Sequence, residues 1–430
     1  MQQKIFNLTN GLKVVLVNLP ESLACTASLY LPAGYKYDPL DKPGLAHISE
    51  HIMLAGTQKY PTSKDLDAAT TRFGGLQTAF TWIDYQLHTV RLPKDKLENG
   101  IDVLQQTTRY PLLKNVELQK EKQSVIEEIH KDRSEPSMTV WDYAWNEAFW
   151  KGSSLARPYT GDVNDLNNIS ITDVQKFIDE ISFNKGVFCI SGNFDTNYAL
   201  NIVEKYFGDI KDKRKSATQE IKPHNGGSLK ILPNNTENTY LMFGFKTIKK
   251  DHKDTYTLRL ISRLLGGSFS GILVNKLREK GFIYDWILDQ DLLQETGYIY
   301  FKTSTSRKFL NDTIKQICDS FKKVANGKVS KEEFEIAQSQ TIGELLLNIE
   351  TTMDYNGWYG EQEFLSGKSS TPQEIAKIYK KITINSVAEV AKKYFTANNW
   401  YLGLVGKAEP REIEDIINLS LSLSSFRADR

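Results

Sequence analysis

Cysteine is scarce, with 3 in 430 residues, and Cys25, Cys189 and Cys318 stand far apart. That spacing builds neither a disulfide framework nor a zinc knuckle, and the three read as core or half-buried thiols. An excess of one charge is missing too: 54 Lys and Arg stand against 53 Asp and Glu, a net charge of +1. Such a balance gives no field that would gather nucleic acid or an anionic membrane. The short basic run Lys211-Asp212-Lys213-Arg214-Lys215 has no aromatics interleaved with it, so it reads as a solvated linker rather than a nucleic-acid patch. There is no unbroken apolar run of the ~18 residues a membrane span needs. The start, Met1-Gln2-Gln3-Lys4-Ile5-Phe6-Asn7, has neither signal-peptide nor transit-peptide character. The expectation is a cytoplasmic protein with no membrane and no nucleic-acid partner.

Histidine is also rare, which makes its placement informative. Of six in the chain, two fall within His47-Ile48-Ser49-Glu50-His51. Leu45, Ile48, Ile52 and Met53 recur at helical spacing around them, so the run belongs on an amphipathic helix opened by Pro43 and Gly44. Residues four apart share a helix face. His47 and His51 can therefore aim two imidazoles at one ion ~2.0–2.1 Å from each nitrogen. Glu50 borders the same face and can reach a water there without being a ligand. His-x-x-Glu-His is the reversed form of a zinc-hydrolase motif.

Hydrolytic zinc sites use three protein ligands and keep one position open, so a third must come from elsewhere. The stretch Gln119–His130 reads as a helix bearing Glu121, Glu127 and Glu128. Adjacent residues point ~100° apart on a helix, so Glu127 and Glu128 cannot both face a metal. Glu121 and Glu128, seven apart, share a face and offer one ligand plus one carboxylate to orient a histidine. Spacing alone prefers that pair only weakly over an ordinary solvated helix.

The rest of the chain reads as an α+β protein of two homologous domains in tandem, each a mostly antiparallel sheet packed with helices. Strands are predicted at 12–18, 24–31, 76–82 and 84–92, and helices at 63–72 (capped by Ser63), 94–108 and 115–132. An aromatic helix follows at 137–150, then a helix near 171–182, a strand at 187–191 and a helix at 196–206. A polar linker at 208–227 precedes a second pass through the same order. The expected domains are residues 1–215, with the His/Glu motif, and 216–430, without metal ligands. The matching second-half helix, Thr257–Leu265, holds neither His nor Glu, so the repeat itself does not require them.

His47-x-x-Glu50-His51 followed far downstream by Glu128 resembles the pitrilysin/insulinase family of inverted zinc metallopeptidases, in its two-domain, processing-peptidase-like branch. The likeness extends over Gly56-Thr57, Gly74-Gly75 before Ala79-x-Thr81, Gly161, Ser191-Gly192-Asn193-Phe194, Leu265-Gly266-Gly267 and Leu277–Tyr284. The resemblance implies one Zn2+ per chain on His47, His51 and Glu128, Glu50 as general base and Glu121 as a supporting carboxylate. It also implies that Arg278 and Tyr284 contact the substrate carbonyl; by themselves they would read as a helix-end charge and a strand-packing residue. Substrate peptide is expected along Thr78, Ala79 and Phe80, where Thr78 replaces the family's usual Asn. A dimeric clamshell is implied, a homodimer or a heterodimer with a related chain. The expected function is a zinc-dependent endopeptidase acting on peptides or leader segments; the alternative is a catalytically silent structural subunit.

Overall fold

β-Branched and apolar side chains carry three strands of the first half: Lys13–Asn18 (β2), Ala24–Leu31 (β3) and Val187–Gly192 (β6), all largely buried. Leu76–Thr81 (β4) and Gln86–Pro93 (β5) supply the two strands expected at 76–82 and 84–92 and pair antiparallel. A further strand, Gln2–Asn7 (β1), was not anticipated; its residues are mostly exposed, and register with β2 holds it. The computed structural model describes residues 1–211 and 221–422. The proposed linker at 208–227 and its basic run lie partly outside the described residues.

The first sheet runs β1-β2-β6-β3-β5-β4, with β2 and β6 parallel and every other pair antiparallel. In the second half, Ser228–Leu232 (β7), Asn238–Lys246 (β8), Ile283–Leu292 (β9), Gly297–Ser306 (β10) and Trp400–Val405 (β11) form a sheet ordered β7-β11-β8-β10-β9. There only β7 and β11 are parallel. Without β1, both sheets follow one path. The tandem α+β expectation therefore stands, as a repeat of topology.

The compact units are not the contiguous halves 1–215 and 216–430. Among the described residues, Met1–Lys131, 158–211 and Leu347–Ser370 form one unit; Asp132–Arg157, Ile221–Leu346 and 371–422 form the other. Each half lends a helix-bearing segment. In the first unit, the helix Thr352–Ser366 puts Tyr359 and Phe364 into a core with Val15, Val17, Tyr30, Tyr85 and Cys189. Its Asn356 Nδ2 donates to Thr26 O at 3.1 Å and Cys189 O at 2.9 Å. In the second unit, the expected aromatic helix is Pro136–Thr139, a π-helical stretch Val140–Trp145 and Asn146–Phe149. Phe149 stacks on Trp145 at 5.1 Å and stands edge-on to Tyr298 and Tyr401 at 4.9 and 4.7 Å. Burial of these rings, not chain position, decides which sheet each segment completes.

Helices Leu45–Leu54 (α1), Ser63–Thr71 (α2), Leu97–Arg109 (α3) and Asn115–Ser134 (α4) join the strands of the first half. The cap of α2 is Thr62, not Ser63: its hydroxyl accepts from Asp65 N, and Ser63 is already helical. All three cysteines are free and buried. No helix among the described residues is long and apolar enough to cross a membrane.

Candidate metal centre

The motif helix α1 begins without a side-chain cap of its own, because Gly44 sits at that position with φ +85°. Asp38 supplies the missing acceptor from six residues upstream. Its Oδ2 accepts from Gly44 N at 2.8 Å and its Oδ1 from Ala46 N at 2.7 Å. Burial pushes the Asp38 carboxyl up to about 8, against the pull of those two N–H groups. Gln86 Nε2 on β5 donates to Ala46 O at 2.7 Å, tying the first turn to the sheet. Leu45, Ile48, Ile52 and Met53 are buried as the periodicity requires, and His47 and Glu50 are buried beside them at 6% exposure each.

Facing α1 is α4, whose glutamates differ in where they point. Glu127 is exposed and accepts a hydrogen bond from Gln123 on its own helix at 3.0 Å. Glu121 and Glu128 both turn toward α1. Glu121 Oε2 lies 3.0 Å from His51 Nδ1. A carboxylate oxygen accepts here, so Nδ1 is the donor and Nε2 is the nitrogen left to face a metal. Glu128 Oε2 lies 3.8 Å from His47 Nε2. One ligand atom from each of His47, His51 and Glu128 lies within 4.8 Å of the others. Two imidazoles and a carboxylate at that separation suit zinc, whose ligand bonds are ~2.0–2.2 Å long.

The electrostatics favour a cation among these groups. Burial, then the neighbouring His51, lowers His47 to about 3, so its ring is neutral and able to ligate. Burial also works against charge on His51, but the bond to Glu121 and the charges of Glu50, Glu121 and Glu128 outweigh it and raise its pKa. Burial raises Glu50, while a 2.6 Å hydrogen bond donated by Thr81 Oγ1 to its Oε2 works the other way. A divalent ion here would balance the carboxylates and return His51 to the neutral form.

Thr78, Ala79 and Phe80 lie on β4 at the edge of the first sheet. Thr78 and Phe80 are exposed, and the Phe80 ring lies 5.9 Å from Tyr85. Arg278 and Tyr284 form a cluster of their own within the second unit. Arg278 sits in the last turn of the helix Ile272–Glu279 and donates to Tyr284 O at 2.7 Å. Its guanidinium lies 4.9 Å from the Phe269 ring, 5.6 Å from that of Tyr284 and 5.9 Å from that of Trp286. The Tyr284 side chain is 83% exposed.

Sequence reasoning missed three contributors. Asp38 could have been found as the acid just upstream of a helix start that lacks a capping side chain. Thr81 was noted within a motif, but not as the partner of Glu50. Tyr159, whose hydroxyl donates to Glu128 Oε1 at 2.7 Å, gave no signal at all.

Two family models match the chain: Insulinase (Peptidase family M16) over residues 13–163 and Peptidase M16 inactive domain over residues 168–341. The His-x-x-Glu-His run lies in the first match, and no such run occurs in the second. An uncharacterized zinc protease, YmxG, of Bacillus subtilis is 25% identical over 395 residues, covering 91% of this chain and 96% of its own length. The beta subunit of the mitochondrial-processing peptidase of Dictyostelium discoideum is 21% identical over 408 residues, covering 91% and 86%. Among solved structures, a protease from Helicobacter pylori superposes with a TM-score of 0.86 at 19% identity over 94% of this chain and 99% of that one. A chain of Complex III2 from Candida albicans does so with 0.81 at 16% identity over 96% and 99%.

Proposed function

Because the chain belongs to the pitrilysin/insulinase family, M16, in its two-domain form, we propose that it is a zinc-dependent endopeptidase hydrolysing peptides or unfolded leader segments. The observation that carries this reading is the convergence of His47, His51 and Glu128 around one point, with Glu50 beside them and not among the ligands. His47 and His51 would hold zinc through Nε2, and Glu128 through Oε2. When bound, the ion supplies Lewis acidity toward the scissile carbonyl and lowers the pKa of water.

The chain's own groups do the rest. Glu50 takes a proton from the attacking water and delivers it to the leaving amine. Thr81 holds one Glu50 oxygen at 2.6 Å, so the other is left to move the proton. Burial of Glu50 raises its pKa, which makes it a stronger base than a solvated carboxylate. Glu121 orients His51 from behind, as carboxylates behind zinc-ligating histidines do. Arg278 and Tyr284 would reach the metal site of a partner chain in a dimer and steady the developing oxyanion there. An extended substrate adds to the edge of β4 at Thr78, Ala79 and Phe80, with backbone bonds giving affinity and side-chain pockets giving selectivity.

The working form is a dimeric clamshell, a homodimer or a pair with a related chain; one relative is itself named as a subunit. Free, buried thiols suit a reducing cytoplasm. A silent structural subunit is the second reading, favoured by the same fold in a Complex III2 chain. Retention of both histidines and both glutamates weighs against it.

The test pairs metal analysis with cleavage of a quenched-peptide library. Wild type is expected to carry one zinc per chain and to cleave. E50Q is expected to keep the zinc and lose ~10²–10⁴-fold in rate, the usual worth of a general base. Cleavage by E50Q at the wild-type rate would remove Glu50 from the mechanism. Absence of both metal and cleavage in wild type would favour the structural subunit.

A further inference from the structure

Pro158–Gly161 is a turn closed by the Gly161 N–H on Pro158 O at 2.9 Å. It presses on the chain where the motif helix begins. A Cβ on Gly44 would lie 2.3 Å from Thr160 O, and one on Gly161 would lie 2.5 Å from Pro43 O. Both glycines also have positive φ, +85° and +68°, which a side chain would strain. Two backbones thus meet with nothing between them. The turn is fixed against the start of α1.

Tyr159 projects from that turn, half-buried. Its ring stands edge-on to His47 at 4.9 Å and 70°, with Tyr35 at 6.3 Å. Its hydroxyl donates to Glu128 Oε1 at 2.7 Å, a short bond of the charge-assisted kind. The other oxygen, Oε2, is the one 3.8 Å from His47 Nε2. The two oxygens of one carboxylate are therefore divided between a phenol and the ligand cluster.

We propose that Tyr159 is a positioning residue of the metal centre. It occupies one oxygen of Glu128, so that Glu128 binds through the other alone, and it sets the plane of the His47 ring. A glutamate on a half-exposed helix face has free rotamers and two equivalent oxygens. Binding through both would fill the position that a hydrolytic zinc keeps for water. A tyrosine on a rigid turn removes that freedom. This inference rests on the reading of His47, His51 and Glu128 as zinc ligands.

The test is Y159F, which keeps the ring and removes only the hydroxyl. Zinc affinity is read by competition with a chromophoric chelator, and coordination by the visible spectrum of the cobalt-substituted protein. Y159F is expected to bind zinc ~10–100-fold more weakly, the usual loss on removing a group that orients a ligand. Its cobalt bands are expected to weaken as Glu128 turns to bind through both oxygens. In an E128Q background the same substitution should change affinity by less than about twofold, because the coupling partner is gone. A packing role would leave affinity and spectrum unchanged in Y159F. That result, with wild type binding zinc normally, overturns this inference alone. Wild-type protein that takes up no zinc overturns the metal reading and this inference with it.

Discussion

The two sheets share a path, yet the helices laid on them are tied together by different chemistry. In the first unit, α1 and α4 meet through His51 and Glu121 at 3.0 Å and through His47 and Glu128 at 3.8 Å. In the second, the helix Thr255–Gly266 takes the place of α1 between the corresponding strands, and Lys331–Leu347 takes the place of α4. Arg263 Nε and Glu344 Oε2 join them at 2.8 Å. Gln340 Nε2 adds a bond to Gly267 O at 2.9 Å. The architecture asks only that the two helices be linked, and an ion pair with a hydrogen bond suffices. The imidazoles of the first unit exceed what the scaffold needs, and a pair of them converging with a carboxylate suits a cation. That contrast carries the functional reading more firmly than the motif does.

The largest effect should come from H51A. It is expected to lose zinc, and with it all cleavage above background, while thermal unfolding of the metal-free protein changes little. Metal content and a peptide assay on one preparation decide it; a zinc-loaded, active H51A would reduce the first unit to the status of the second.

An intermediate effect concerns acid. His88 on β5 is fully buried, neither ring nitrogen has a partner among the described residues, and burial lowers its pKa to about 4. Its counterpart strand, β10, contains no histidine. The unfolded chain protonates this ring near its ordinary pKa of ~6.5, whereas the folded chain does so only near 4. Stability from this source is therefore present above ~6.5 and drains away as pH falls toward 4, by up to roughly 3 kcal/mol. H88L should flatten that acid branch in denaturant titrations run from pH 7 to 4. An unchanged slope would mean that the imidazole has partners in solution.

The smallest effect should come from R263A. Loss of a partly buried ion pair is expected to cost about 1 kcal/mol in chemical denaturation, with zinc content and peptide turnover unchanged. A loss of zinc in R263A would show that the two ties are not independent.

What could be read from the sequence was local. The motif helix, the face shared by Glu121 and Glu128 and nearly every strand follow from spacings of two, four and seven residues, which backbone geometry fixes. The contributors that escaped are those brought together only by folding. Tyr159 reaches Glu128 from a distant turn, and Asp38 caps a helix from outside it. Strand β1 escaped for another reason: its Gln and Lys side chains carry no apolar pattern, and its place comes from backbone pairing with β2 and a bond from Gln3 Nε2 to Ser369 Oγ at 2.6 Å. The aromatic run at 137–150 announced a buried helix but could not say which sheet it would bury against.

The reciprocal loan of helices has a consequence for inheritance. A gene cut at its midpoint would yield two polypeptides, one with its Val15–Tyr30–Cys189 layer stripped of Tyr359 and Phe364, the other with Tyr298 and Tyr401 stripped of Trp145 and Phe149. Neither product could be passed on as a self-contained module. Duplication can create such a chain from one ancestor in a single event, but once the halves have traded segments, shuffling cannot take them apart again.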